Sequence, residues 1–134
     1  MNTIRVTCAI ILREGKILAA QRSETMSLPL KWEFPGGKIN KGESEVECLR
    51  RELLEELNLS MLIKGRLSNS LFNYGDFTVE LIPFIVDYVE SEIILHEHRQ
   101  IGWFTSFELK DLDWAPADVP ILQEFLDRTI KMPL

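Results

Sequence analysis

The spacing of apolar residues divides the chain into short strands and two helices. Ile4 to Leu12 is rich in β-branched residues and Ile17 to Gln21 is a second apolar run. With Arg13-Glu14-Gly15-Lys16 between them as turn chemistry, they predict a hairpin. A polar stretch from Arg22 to Lys31 leads into Trp32-Glu33-Phe34 and then Pro35-Gly36-Gly37, expected to be a turn in which glycine reaches backbone conformations closed to other residues. Ser44 and Glu47 have capping-box spacing, and Val46, Leu49, Leu53 and Leu57 recur at helical intervals, so a helix is predicted from about Glu45 to Leu57. Asn58 stands where a left-handed residue ends it.

Further strands are predicted at Leu67 to Tyr74 and Phe77 to Val89, turning at Gly75-Asp76, and at Ile101 to Phe104. Pro83 implies an edge or a bulge in the longest of these. Val119 to Ile130 places Ile121, Leu122, Phe125, Leu126 and Ile130 on one helical face, with Asp118 as an N-cap candidate. Irregular alternation of strands and helices points to an α/β or α+β layered domain with a mixed sheet, and the 134 residues fit one domain.

Composition narrows the function. A formal net charge of -6 argues against stable binding of DNA or RNA through the overall field, so an anionic ligand would need local cations or metal ions. Cys8 and Cys48 have no spacing that suggests a disulfide framework or zinc site, which fits a reducing cytoplasm. The run from Val6 to Leu12 is too short to span a membrane and lacks the flanks of a leader, so a soluble intracellular protein is expected. His96 and His98 lack a third nitrogen or sulfur ligand, and read as alternate residues of a strand they do not make a zinc site.

The chemistry gathers on the first helix. Glu52, Glu55 and Glu56 stand at i, i+3 and i+4, so their carboxylates share one side while the leucines take another. Like charges so placed repel by roughly 0.2–0.5 kcal/mol per pair on an isolated helix. A divalent cation converts that repulsion into attraction, and oxygen-only ligands favour Mg²⁺ or Mn²⁺. A solvated acidic face neutralised by Arg50 and Arg51 is the competing reading. The preceding glycine loop, and Lys38 with its mobile charge, favour a phosphate ligand instead.

Gly37, Glu43, Arg51-Glu52, Leu53 and Glu55-Glu56, followed by Asn58-Leu59, resemble the signature of the Nudix (MutT-like) hydrolases. That signature is Gly, five residues, Glu, seven residues, Arg-Glu, an aliphatic, any residue, Glu-Glu, any residue, Gly and an aliphatic. Asn58 replaces the last Gly and keeps the left-handed conformation accessible. The likeness extends to Trp32-Glu33-Phe34-Pro35-Gly36, to Glu97 ahead of Trp103-Phe104, and to Ala115-Pro116-Ala117-Asp118.

The resemblance implies a Nudix-type α/β/α sandwich around a mixed sheet. It also implies Mg²⁺-dependent cleavage of the α–β linkage of a nucleoside triphosphate, giving the monophosphate and pyrophosphate. CTP- or dCTP-like nucleotides, or damaged ones such as 8-oxo-dGTP, are the expected substrates, handled by a monomer or homodimer. Glu55 and Glu56 are expected as direct metal ligands with the Gly36 carbonyl. Glu52 serves a metal, its water or general-base duty, and Glu97 a metal or base unless it is a solvated loop residue. Arg51 is expected to orient a neighbouring glutamate and Glu43 to support the loop or the metals. Arg22 matches a phosphate contact and Phe34 a position beside the base, though either can be structural, and Gly37 and Lys38 line the same loop. Asp118 falls where relatives read the base. Ionised, it accepts hydrogen bonds from an amino group; protonated, it also donates to a keto oxygen. Other diphosphate substrates, namely a nucleotide sugar, a dinucleoside polyphosphate or a capped RNA end, and a non-catalytic nucleotide sensor, are the alternatives.

Overall fold

The computed structural model describes residues 2–131, with side chains through Arg128, so that Ile130 of the predicted apolar face lies outside the described side chains. Strands β1 (Thr3–Arg13) and β2 (Lys16–Gln21) form the expected hairpin. Glu14 and Gly15 both have positive φ (49° and 78°), the twist that suits a two-residue hairpin turn. Around them lie β3 (Trp32–Glu33), β4 (Gly36–Lys38), β5 (Ser60–Arg66), β6 (Ser70–Asn73), β7 (Thr78–Val89) and β8 (Gln100–Phe104). The order β3-β2-β1-β7-β5 forms the spine of one mixed sheet, in which β1 and β7 run parallel; β4 joins β1, β6 joins β7 and β8 joins β2.

Alternation along β1 builds a core on each face. Cys8 and Ile10, with Ile17 and Ala19 of β2, pack against Trp114, Ile121, Leu122 and Phe125; Ala9, Ile11 and Leu18 pack against Leu49, Leu53 and Leu57. Helix α1 (Glu45–Leu57) therefore covers one face. The short α2 (Ser106–Leu109), a 3₁₀ turn at Pro116–Asp118 and helix α3 (Val119–Lys131) lie with the other core. The layered, mixed-sheet expectation holds.

The ends of α1 follow from its sequence. Ser44 accepts from the Glu47 amide while the Glu47 side chain returns to the Ser44 amide. Asn58 closes the helix at φ 54°, and its side-chain amide donates to the Glu92 carbonyl at 2.9 Å.

Three expectations need correction. Gly36 and Gly37 are not a left-handed turn but strand β4, paired with Cys8 and Thr7 of β1. Close approach is the reason for glycine here: a Cβ on Gly36 would sit 2.0 Å from the Thr7 carbonyl oxygen, and one on Gly37 2.2 Å from the Glu52 carboxyl carbon. Pro83 lies within β7, which is flanked on both sides. Its missing N–H falls where the antiparallel partner changes from β6, ending at Leu81–Ser70, to β5, beginning at Phe84–Arg66. Strand β5 has no counterpart among the predicted elements. Its alternation is blurred by exposed Leu62 and by an irregularity between Ile63 and Gly65 that shifts the register.

Candidate active site

Helix α1 turns its leucines to the sheet and its carboxylates to a cleft of about 320 Å³ lined by Glu52, Glu55, Glu56, His96 and Glu97. The loop carrying Glu97 is tied to the end of the helix, since the Ile94 and His96 amides donate to the Leu57 and Glu56 carbonyls at 3.0 and 3.3 Å. Glu97 thus reaches the helical acids from a distant part of the sequence.

One arginine organises the start of this face. Arg51 donates from Nε to Glu43 at 2.5 Å, from Nη1 to Glu52 at 2.8 Å and to Glu55 at 3.2 Å, and from Nη2 to the Lys38 carbonyl at 3.1 Å. The guanidinium holds the Glu43 carboxyl down at about 2, helped by the Asn40 amide. Its own pKa is raised, by Glu43 first and then Glu52.

Glu56 has the opposite environment. Burial, then the charges of Glu52, Glu33 and Glu97, push its carboxyl up to about 8, and Oε2 is buried without a hydrogen-bond partner. Among the described residues no group of three or more His, Cys, Asp or Glu side chains is drawn together to hold a metal ion as they stand. Arg51 accounts for part of this, because it occupies oxygens of Glu52 and Glu55. A divalent cation nevertheless fits the donor set. The cleft wall is carboxylate oxygen apart from His96, Glu55 is largely exposed and free to swing, and Glu56 offers a buried oxygen whose charged form lacks compensation.

A second cleft of about 200 Å³ adjoins the first and shares Glu56 with it. Arg22, Met26, Glu33, Phe34, Gly36, Gly37 and Asp118 line it, together with Thr7 and Cys8 of β1. Phe34 is buried against Trp114, with ring centroids 4.7 Å apart, so it is both core and cleft wall. Asp118 is buried. Its Oδ2 accepts the Phe34 amide at 2.9 Å, so the carboxyl reaches across to the sheet although its position before α3 suggested a cap. Burial, then the charge of Glu33, raises it well above the ordinary carboxyl range. The segment that carries it is fixed by the Trp32–Trp114 bridge, by Ser70 Oγ donating to the Ala117 carbonyl and by the Ala117 amide donating to the Tyr74 hydroxyl.

Arg22 reaches this cleft but is already engaged, at 2.7 Å from Glu33 and with bonds to the Ser27 carbonyl and hydroxyl. Lys38 is exposed at the end of β4 and lines neither cleft. The two histidines do not share a strand face: they lie in the loop before β8, His96 exposed and His98 buried.

Sequence reasoning misses two polar residues of this region. Glu33 links Arg22 to His98, whose Nε2 lies 2.8 Å away. A charged residue between Trp32 and Phe34 was the available signal, since a carboxylate in an aromatic run is rarely buried without a partner.

Comparison with known proteins agrees with this geometry. The family model described as the NUDIX domain matches residues 1–125. The chain is similar to the CTP pyrophosphohydrolase of Escherichia coli (strain K12), 34% identical over 126 residues that cover 94% of this chain and 93% of the relative. It is also similar to the putative 8-oxo-dGTP diphosphatase 2 of Mycobacterium tuberculosis (strain ATCC 25618 / H37Rv), 38% identical over 121 residues covering 88% and 84%. Among solved structures, that of the E. coli ORF135 protein superposes with a TM-score of 0.87 at 34% identity, covering 99% of this chain and 95% of that one.

Proposed function

The chain belongs to the Nudix family, and on that premise we propose that it is a Mg²⁺-dependent pyrophosphohydrolase of nucleoside triphosphates, acting on CTP- or dCTP-like nucleotides or on damaged ones such as 8-oxo-dGTP. The observation that carries this reading is the sharing of Glu56 between an acidic cleft and a pocket walled by an aromatic ring and buried polar groups. One side suits cations and a diphosphate, the other a base.

In this reading Glu52, Glu55, Glu56, Glu97 and the Gly36 carbonyl hold the metal. A divalent ion held there would supply a lowered water pKa and positive charge toward the leaving pyrophosphate. Arg51 positions Glu52, which takes the proton of the attacking water, and Glu43 holds Arg51 in turn. Arg22, kept in place by Glu33 and Ser27, presents positive charge to the phosphates at the pocket rim. Asp118, whose burial favours the protonated form, keeps one oxygen for the Phe34 amide and in that form donates its O–H to an acceptor on the base.

The test is pyrophosphate release from CTP, dCTP, 5-methyl-dCTP and 8-oxo-dGTP in Mg²⁺, with and without chelator, beside Glu56→Gln. We expect turnover on at least one of them, lost with chelator and reduced at least about a hundredfold in the variant, as several kcal/mol of metal-borne charge stabilisation implies. Turnover that survives both treatments contradicts the reading.

A further inference from the structure

A chain of half-buried polar groups, with His98 fully buried at its centre, crosses from one cleft to the other. Arg22 Nη1 donates to Glu33 Oε1 at 2.7 Å, and Glu33 Oε2 lies 2.8 Å from His98 Nε2. On the far side of the ring, Nδ1 stands 3.9 Å from Glu56 Oε2. The His98 side chain is only 1% exposed, and neither its Nδ1 nor Glu56 Oε2 has another hydrogen-bond partner. Buried polar atoms left without partners are costly, and two of them facing each other at 3.9 Å are one small movement from satisfying each other.

The ring cannot easily turn away. Next to His98, the Arg99 amide donates to the Gln21 carbonyl of β2 at 2.9 Å, and the His96 amide binds the end of α1. Glu33 fixes the rotation of the ring. As a carboxylate it only accepts, so Nε2 donates to Glu33, and a bond on the other side of the ring needs one proton between Nδ1 and Glu56 Oε2, carried by Nδ1 when Glu56 is the carboxylate that holds a cation.

We propose that His98 is a positioning residue for Glu56: anchored through Glu33, its Nδ1 engages Glu56 Oε2 and turns the carboxyl so that Oε1 is presented to the acidic cleft. Closing the 3.9 Å gap to a bond of about 2.9 Å takes a shift of about 1 Å at the end of a glutamate. Glu33 lines the second cleft, so the same chain makes the orientation of Glu56 depend on a wall of the substrate pocket. The inference rests on the reading of Glu56 as a metal ligand.

Two substitutions separate the ends of the ring. His98→Gln places an amide near Nε2, toward Glu33, and leaves nothing at Nδ1; His98→Asn places one near Nδ1, toward Glu56, and releases Glu33. Mn²⁺ binding to the nucleotide-free protein, followed by calorimetry or electron paramagnetic resonance, reads the metal site without turnover, and Glu56→Gln controls for the site itself. Groups that orient metal ligands are worth about 10–100-fold in affinity. We expect His98→Gln to weaken Mn²⁺ binding by about tenfold or more and to lower kcat with little change in KM, and His98→Asn to stay within about threefold of the parent. Parent-like Mn²⁺ binding in His98→Gln, or equal losses in both variants, overturns the role of His98 while Glu56→Gln still loses the ion. Undiminished binding in Glu56→Gln overturns the metal-site reading, and the inference with it.

Discussion

Glu43 and Glu56 belong to the same motif yet end in opposite electrostatic states. Glu43 lies in the fork of Arg51 and titrates at about 2, whereas Glu56, one helix length away, faces Glu33, Glu52 and Glu97 and titrates at about 8. The difference teaches where the chain supplies its own counter-charge and where it leaves the counter-charge to a ligand. Around Arg51 the acids already have a counter-charge in the folded protein, and Glu43, gripped by Nε, holds geometry. Around Glu33 the half-buried Glu56 and the buried Asp118 have raised pKa values, and the charged form of Glu56 lacks a counter-charge until something binds.

The comparison breaks most visibly at its organising cation. Arg51→Lys retains a charge but cannot reach Glu43, Glu52 and the Lys38 carbonyl at once, so kcat should fall about 10–100-fold. Steady-state kinetics check this, and a variant within twofold of the parent would show that Arg51 only neutralises charge. Gly37→Ala intrudes on the Glu52 carboxylate, whose atoms are the three nearest to the added Cβ. It should cost about 1–3 kcal/mol in denaturant unfolding. Its kcat should fall about tenfold, the ~1.4 kcal/mol expected of a displaced catalytic group. The smallest effect is expected at Asp118→Asn. An amide reproduces a protonated carboxyl, accepting from Phe34 and donating to the base, so the ratio of kcat/KM for CTP and 8-oxo-dGTP should shift only a few-fold, the worth of one hydrogen bond. A shift of a hundredfold would mean that Asp118 works as an anion.

The two regions also differ in how far they can be read from sequence. The Arg51 end is local: Glu43, Arg51 and Glu52 are fixed by the cap at Ser44 and by helical spacing, so their neighbourhood follows from the pattern of α1. The hairpin, α1, β7 and β8 are legible for the same reason, each having an uninterrupted period or a turn residue at its end. The Glu33 region is assembled from Thr7, Arg22, Glu33, His98 and Asp118, brought together by pairing of β2 with β3 and β8 and of β1 with β4, and by docking of the turn before α3. No local period encodes that meeting. The role of glycine in β4 escapes a sequence reading for a related reason, since close approach to Thr7 and Glu52 is a property of the packed sheet and helix.

The most direct test of the contrast is the stability of the metal-free protein to denaturant, in chelator, measured from pH 5 to pH 8.5 for the parent and for Glu56→Gln. A carboxyl whose folded pKa is raised favours folding below its unfolded value of 4.5, and that contribution is lost as pH rises through about 8. The parent should lose on the order of 3–5 kcal/mol across this window through Glu56, since each pH unit between the two pKa values is worth about 1.36 kcal/mol. The variant should lose less, keeping only the like-signed contribution of Asp118, and should be the more stable protein at pH 8. Mg²⁺ should restore the parent but not the variant. Parallel pH profiles for the two proteins would contradict the account, because Glu56 would then not be the uncompensated acid, with one buried oxygen, on which the proposed metal site depends.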